Sequence, residues 1–157
     1  MISIIVAADD NLLIGKKDSP TGLPWSNKED LKHFKKTTLN SNILMGLTTY
    51  KAIGRPLPKR HTIVLSDVEF HDDRVEVRHS LDEILEEYQG EDKQLYICGG
   101  ASIYRQCLPK ADELLLSRIP GSHEGEAYFP DFTQYGYKLV EERDMETFKL
   151  QIYKRNK

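Results

Sequence analysis

Ile2-Ser3-Ile4-Ile5-Val6-Ala7-Ala8 decides the fold. The run is apolar and β-branched almost without interruption, whereas a strand with one wet face would alternate apolar and polar residues. It reads as a strand covered on both faces, of the kind found inside a parallel sheet. Similar segments recur at Asn42–Met45, Thr62–Leu65, Val75–Arg78, Leu95–Cys98 and Glu113–Ile119. Helical patterns fall between several of them. Lys28–Thr38 is one. Ser80–Tyr88 is another, with Ser80 as N-cap and Glu83 completing a capping box. Ser102–Leu108 is a third, stopped by Pro109. Tyr137–Arg143 and Thr147–Lys154 flank a short polar stretch and read as a closing antiparallel hairpin. The alternation predicts an α/β three-layer sandwich, with an eight-stranded, mostly parallel mixed sheet and about four flanking helices.

The remaining bulk properties narrow the class. The chain has 157 residues, 39% hydrophobic and 30% charged, and shows no repeat or linker. One domain over residues 1–157 is expected. A net charge of −3 argues against nonspecific nucleic-acid binding or a polybasic membrane surface. No apolar run is long enough for a membrane helix. The N-terminal residues lack a basic region and an A-x-A cleavage site, so they read as a strand and not a signal peptide. Cys98 and Cys107 match no metal or disulfide spacing, so no metal site is expected and a reducing cytoplasm is the simplest setting. No apolar stripe stands out, so a monomer is expected.

Ligands of such sheets bind beyond the carboxyl ends of the strands, and four places there could carry chemistry. On Lys28–Thr38, Lys28, Lys32, Lys35 and Lys36 share one side while Leu31, Phe34 and Thr38 share the other. Asp30 lies at the edge of that apolar arc, where lost hydration raises proton affinity and suits proton handling near neutral pH. It reads equally as an acid complementing the helix dipole. Leu95 to Tyr104 runs from a strand through Gly99-Gly100 into a helix, a plausible dinucleotide cradle or an ordinary turn. Gly15 to Trp25 is a long polar loop ending in the only Trp, either a lid or a segment that the Trp anchors. Gly54 to Arg60 is a stiff basic segment whose Arg suits a carboxylate, or a solvated turn.

Taken together, these residues resemble bacterial dihydrofolate reductases over essentially the whole length. The matching pieces are Met1 to Ile5, Ile14-Gly15, Leu23-Pro24-Trp25, Asp30-Leu31 with Phe34-Lys35, and Met45-Gly46 with Thr49-Tyr50. They continue with Ile53 to Pro58 and Arg60, Ile97 to Ala101 with Ile103-Tyr104, and Tyr128 to Asp131. The resemblance implies reduction of 7,8-dihydrofolate by hydride transfer from NADPH, and sensitivity to antifolate inhibitors. It implies that Asp30 binds the pterin edge and assists protonation of N5 through a water, with Ser117 bonded to that carboxylate and Trp25 holding a water nearby. Ile5, Val6, Ala7, Leu31, Phe34, Ile53 and Leu57 would line the folate slot, and Arg60 would clamp the α-carboxylate of the glutamate tail. Cys98 and Tyr104 would flank both the pterin and the nicotinamide. The cofactor would also meet Ala7, Ile14, Gly15, Leu23, Gly46, Leu47, Thr48, Thr49, Leu65, Ser66, Asp67, His79, Gly99, Gly100, Ala101, Ser102 and Ile103. Gly99-Gly100 would be a cis peptide, and Gly15 to Leu23 a mobile loop closing over the nicotinamide.

Some positions depart from the family pattern. Leu47 and Ser102 stand where basic residues commonly meet the 2′-phosphate of NADPH, and Asp67 follows Ser66 where it would repel a phosphate. A carboxylate there can bond a free ribose hydroxyl instead. NADPH stays the expected cofactor, with weakened preference and tolerance of NADH. Arg78, His79, Arg105 and Thr48 are candidates to restore phosphate binding. The loop from Gly15 to Pro24 is longer than in the best-known bacterial members, and Glu126 replaces a common Asp in a loop supporting it. Two rival readings remain at this point: a reductase of a riboflavin-synthesis pyrimidine, and a catalytically silent folate-binding module.

Overall fold

The computed structural model describes residues 1–17, 19, 23–90 and 92–155. In chain order its strands are β1 (Ile2–Ala8), β2 (Leu13–Gly15), β3 (Asn42–Gly46), β4 (His61–Leu65) and β5 (Glu76–Arg78), then β6 (Leu95–Ile97), β7 (Glu113–Arg118), β8 (Ala127–Tyr128), β9 (Tyr137–Asp144) and β10 (Lys149–Arg155). The helices are α1 (Lys28–Thr38), α2 (Leu47–Ile53), α3 (Leu81–Glu87) and α4 (Ala101–Cys107). Eight strands form one sheet in the order β5-β4-β3-β6-β1-β7-β10-β9. All neighbours are parallel except β10, which is antiparallel to both β7 and β9. The mixed, mostly parallel α/β sheet and its C-terminal hairpin are as expected.

β1 sits at the centre between β6 and β7, with every residue but Ala7 buried. Its alternation sorts the two faces. Ile2, Ile4, Val6 and Ala8 join Ile84 and Leu85 of α3 and Ile103, Tyr104 and Cys107 of α4 in the main core. The opposite face carries two smaller clusters. One joins Ile43, Met45 and Val64 to Tyr50 of α2. The other joins Ile119, Phe148 and Leu150, with Ala7 and Trp25 packed on it. The core on this face is therefore split.

Capping explains why α1 and α3 were legible. Asn27 caps α1, its side chain accepting from Asp30 N at 2.9 Å, with Glu29 and Asp30 in the first turn and Lys35 and Lys36 in the last. Ser80 caps α3 by accepting from Glu83 N. The sequence reading placed no helix over Leu47–Ile53. α2 starts at Gly46 with no side-chain cap and holds two β-branched threonines, and it ends at left-handed Gly54, φ +86°. The pairing of β2 with β8 was also not foreseen; at three and two residues these strands are too short for a periodic signal.

Candidate active site

Asp30 lies in the first turn of α1, on the face of the sheet whose core is split. It is half-buried, and the Ser117 hydroxyl of β7 is hydrogen-bonded to its carboxylate. Ser117 is itself buried and pairs across the sheet with Ala7 and Leu150. Burial pushes the Asp30 carboxyl above its ordinary range, by more than the Ser117 bond and the attraction of His33 pull it back. Desolvation also lowers the proton affinity of His33, one turn along α1.

The apolar residues expected beside the acid divide by face. Ser3, Ile5 and Ala7 alternate with the main-core residues of β1, so Ile5 and Ala7 share the face of Ser117. Val6 does not. Its side chain belongs to the α3/α4 core, so by the two-residue period of a strand it is the Val6 backbone that could face a ligand here. Leu31 and Ile53 stand 48% and 39% exposed, unusually open for large apolar side chains. Phe34 is half-buried, and Leu57 packs against the α2 cluster with Cys98. Tyr104 is buried, donates from its hydroxyl to Ile5 O at 2.9 Å and packs edge-on against Phe129.

Arg60 is oriented before any ligand arrives. Its Nε donates to Thr38 Oγ1 at 3.0 Å, and its terminal nitrogens donate to the carbonyls of Lys35 and Pro58. Thr38 is buried and donates in turn to Phe34 O at 2.8 Å. The C-terminal end of α1 thus presents a guanidinium fork at one end of the face that carries Asp30 at the other.

The Gly99–Gly100 peptide is cis. Gly99 O accepts from Gly46 N at 2.9 Å, so the chain segments leading into α2 and α4 touch. A Cβ at Gly46 would come within 3.0 Å of Ile103 Cδ1, and one at Gly100 within 3.3 Å of Thr49 Oγ1. A side chain at either position would crowd these neighbours, and Ala101 and Ser102 follow as the first residues of α4. Leu47 is half-buried, while Thr48 beside it and Ser102 are exposed.

Beyond β4 the turn uses its own groups. Leu65 packs on the main core. The Ser66 hydroxyl is buried and bonded to Val68 O at 2.6 Å, so it faces into the turn. His79 Nδ1 pairs with Ser66 O at 2.8 Å. Arg78 is bound by Glu76 and Glu87, with Glu83 at 3.9 Å, so carboxylates already occupy its guanidinium. Asp67 and Arg105 are exposed.

The loop after β2 is tied at its base. Glu126 N donates to Gly15 O, and the Glu126 carboxylate accepts from Lys17 N. Ile14 packs on the main core, and Leu23 is 39% exposed. Residues 18 and 20–22 of the expected closing loop lie outside the described residues. Trp25 packs on the Ile119, Phe148 and Leu150 cluster and stands edge-on to His123, ring centroids 5.3 Å apart.

Sequence reasoning missed Thr38 as the group orienting Arg60, and it missed the clasp on the start of α1. Glu29 accepts from the backbone of Glu146 and Thr147 and from the Thr147 hydroxyl, which also bonds Asn27. The Asn27-x-x-Asp30 spacing was the available signal for the cap; nothing local signals the partner turn 120 residues away.

A desolvated acid beside the carboxyl end of the central parallel strand and a glycine turn leading into α4 lie where α/β sheets of this kind bind their ligands. Comparison with known proteins specifies the class. Residues 1–155 match the family model for dihydrofolate reductase. The dihydrofolate reductase of Bacillus subtilis is 41% identical over 143 residues, covering 89% of this chain and 82% of the relative. The dihydrofolate reductase of Mycoplasma pneumoniae is 36% identical over 160 residues, covering 98% and 97%. A solved dihydrofolate reductase from Enterococcus faecalis, complexed with NADP(H) and RAB-propyl, superposes with a TM-score of 0.89 at 30% identity, covering 100% of this chain and 97% of that one. The chain belongs to the dihydrofolate reductase family, enzymes that reduce 7,8-dihydrofolate with a nicotinamide cofactor. Membership favours this reading over a riboflavin-pathway reductase or a silent binding module.

Proposed function

We propose that this chain, acting as a monomeric single domain, reduces 7,8-dihydrofolate to 5,6,7,8-tetrahydrofolate with a hydride supplied by NADPH. The observation that carries the reading is the desolvated Asp30 carboxylate, braced by Ser117 on the same face as Ile5 and Ala7. Asp30 would accept the pterin's amino and ring N–H edge, where an ionic hydrogen bond in a dry site is strong. Its raised proton affinity would let it help deliver a proton to pterin N5 through a water held near Trp25. Leu31, Phe34, Ile53 and Leu57 would exclude water from the ring, and Arg60 would grip the glutamate α-carboxylate. Antifolates presenting a cationic heterocycle would compete for the same acid.

The glycine crevice suits a dinucleotide. Backbone at Gly46, Gly99 and Gly100 permits close approach, with Thr49, Ala101 and Ser102 at the two helix starts. Toward the adenosine 2′ position the chain offers less. Leu47 and Ser102 carry no charge, Asp67 would repel a phosphate, and Arg78 is held by Glu76 and Glu87. NADPH remains the cofactor we assign, with a reduced preference over NADH. The two free thiols, Cys98 and Cys107, suit a reducing cytoplasm.

One assay tests the reading: loss of reduced-nicotinamide absorbance on adding dihydrofolate. We expect turnover by the wild type and a loss of about a hundredfold or more at pH 7 in Asp30→Asn. Undiminished activity in that variant would overturn the role given to Asp30.

A further inference from the structure

Asp9 ends the central strand as a fully buried carboxylate. Its Oδ1 accepts from Asn11 N at 2.9 Å and Leu13 N at 3.0 Å. Its Oδ2 accepts from His123 N at 2.8 Å and lies 3.3 Å from His123 Nδ1. An acceptor-only carboxylate fixes the imidazole as a donor at Nδ1, leaving Nε2 to gain or lose the second proton. Burial pushes the Asp9 carboxyl up, but hydrogen bonds from Leu13, Asn11 and His123 outweigh it and hold the group ionised. The other side of the His123 ring meets Trp25, at 63° between planes.

The charges around this ring come from three places. Asp9 belongs to the β1–β2 turn and bonds the ring directly. Asp10 of the same turn accepts from Gly121 N and reaches Arg118 at the end of β7 through its carbonyl. Glu124 and Glu126 are exposed members of the His123 loop. Of these, the carboxylate bonded to the ring is that of Asp9.

We propose that His123 is a positioning residue for the active site: anchored by Asp9, it props Trp25, and taking up a proton tightens that prop. An imidazolium gains an ion pair with Asp9 and is drawn more strongly to the indole than a neutral ring is. Trp25 stands two residues before the Asn27 cap and five before Asp30. Where the indole rests therefore sets how the chain enters α1 and how the acid faces its ligand. This inference rests on the proposed reading of Trp25 and Asp30.

The chain has a single Trp, so indole emission reports Trp25 alone. The test follows emission of the intact protein from pH 5 to 8, the range in which histidine changes charge, in wild type, H123F and H123Q. We expect a one-proton step in the wild type that is lost in both variants. We also expect the ratio of wild-type to H123F kcat to rise about two- to fivefold from pH 8 to pH 5.5. H123F keeps an aromatic ring on Trp25, so a merely structural role would leave that ratio flat. A wild type without the step, variants that retain it, or a flat kcat ratio in both variants overturns the proposal. Failure of the dihydrofolate reading would appear separately, as a wild type that shows the emission step but no turnover.

Discussion

The Thr38 hydroxyl stands between the α1 backbone and Arg60, donating to Phe34 O at 2.8 Å while accepting from Arg60 Nε at 3.0 Å. A buried hydroxyl with both roles filled converts the end of a helix into a mount for a guanidinium. In Thr38→Val the Nε loses its partner, which costs about 1–3 kcal/mol. We expect KM for dihydrofolate to rise about tenfold with kcat nearly unchanged, measured by steady-state kinetics. An unchanged KM would show that Arg60 needs no mount.

Asp30 should oppose folding in the free enzyme at neutral pH. Its folded proton affinity lies above the ordinary carboxylate value. The folded state therefore binds the proton more tightly than the unfolded chain, a contribution complete below about pH 3.9 and lost as pH rises through the folded value. Asp30→Asn removes the ionised group. We expect its Tm without ligand to exceed that of the wild type by about 2 °C at pH 7.5, with the gap closing toward pH 4. A gap independent of pH would contradict this linkage.

Gly125 lies beside Glu126, in the loop tied to the segment after β2. A Cβ there would come 2.4 Å from Gly15 O, a backbone atom that no rotamer change can move aside. Gly125→Ala must therefore part the two segments and weaken the Glu126 bond to Gly15. We expect kcat to fall several-fold and Tm to drop, because the added methyl also presses on the buried Leu13, 3.1 Å from its Cδ1. Single-turnover and steady-state rates would locate the affected step.

Cofactor preference should respond to charge at position 47. Leu47→Arg places a guanidinium after Gly46, and a charge-assisted contact with the 2′-phosphate is worth about 1.5–3 kcal/mol. We expect the ratio of kcat/KM for NADPH over NADH to rise at least tenfold above the wild-type ratio. If the wild type already prefers NADPH by more than about a thousandfold, the weakened preference argued from Leu47, Asp67 and Ser102 is wrong.

The central strand, α1 and the C-terminal hairpin were legible because their signals are local. Ile2–Ala8 is apolar throughout, and the periodicity of Lys28–Thr38 meets a polar cap. Leu47–Ile53 stayed hidden because its threonines, Tyr50 and Ile53 are equally suited to a strand. At the site, residue identities were legible but their partners were not. Asp30 and Ser117 meet only once β7 has paired with β1, and Thr38 reaches Arg60 across 22 residues. Resemblance names Val6 as a position beside the slot, whereas strand alternation decides that its side chain points into the opposite core.

β10 lies between β7 and β9, so the last of the described strands in chain order is an interior one. During synthesis β9 emerges first and has no place to dock, since its only neighbour has yet to be made. Sheet closure therefore waits on β10, and a nascent chain stalled before Lys149 would leave the outer side of β7, including the backbone beside Ser117, bare to chaperones and proteases.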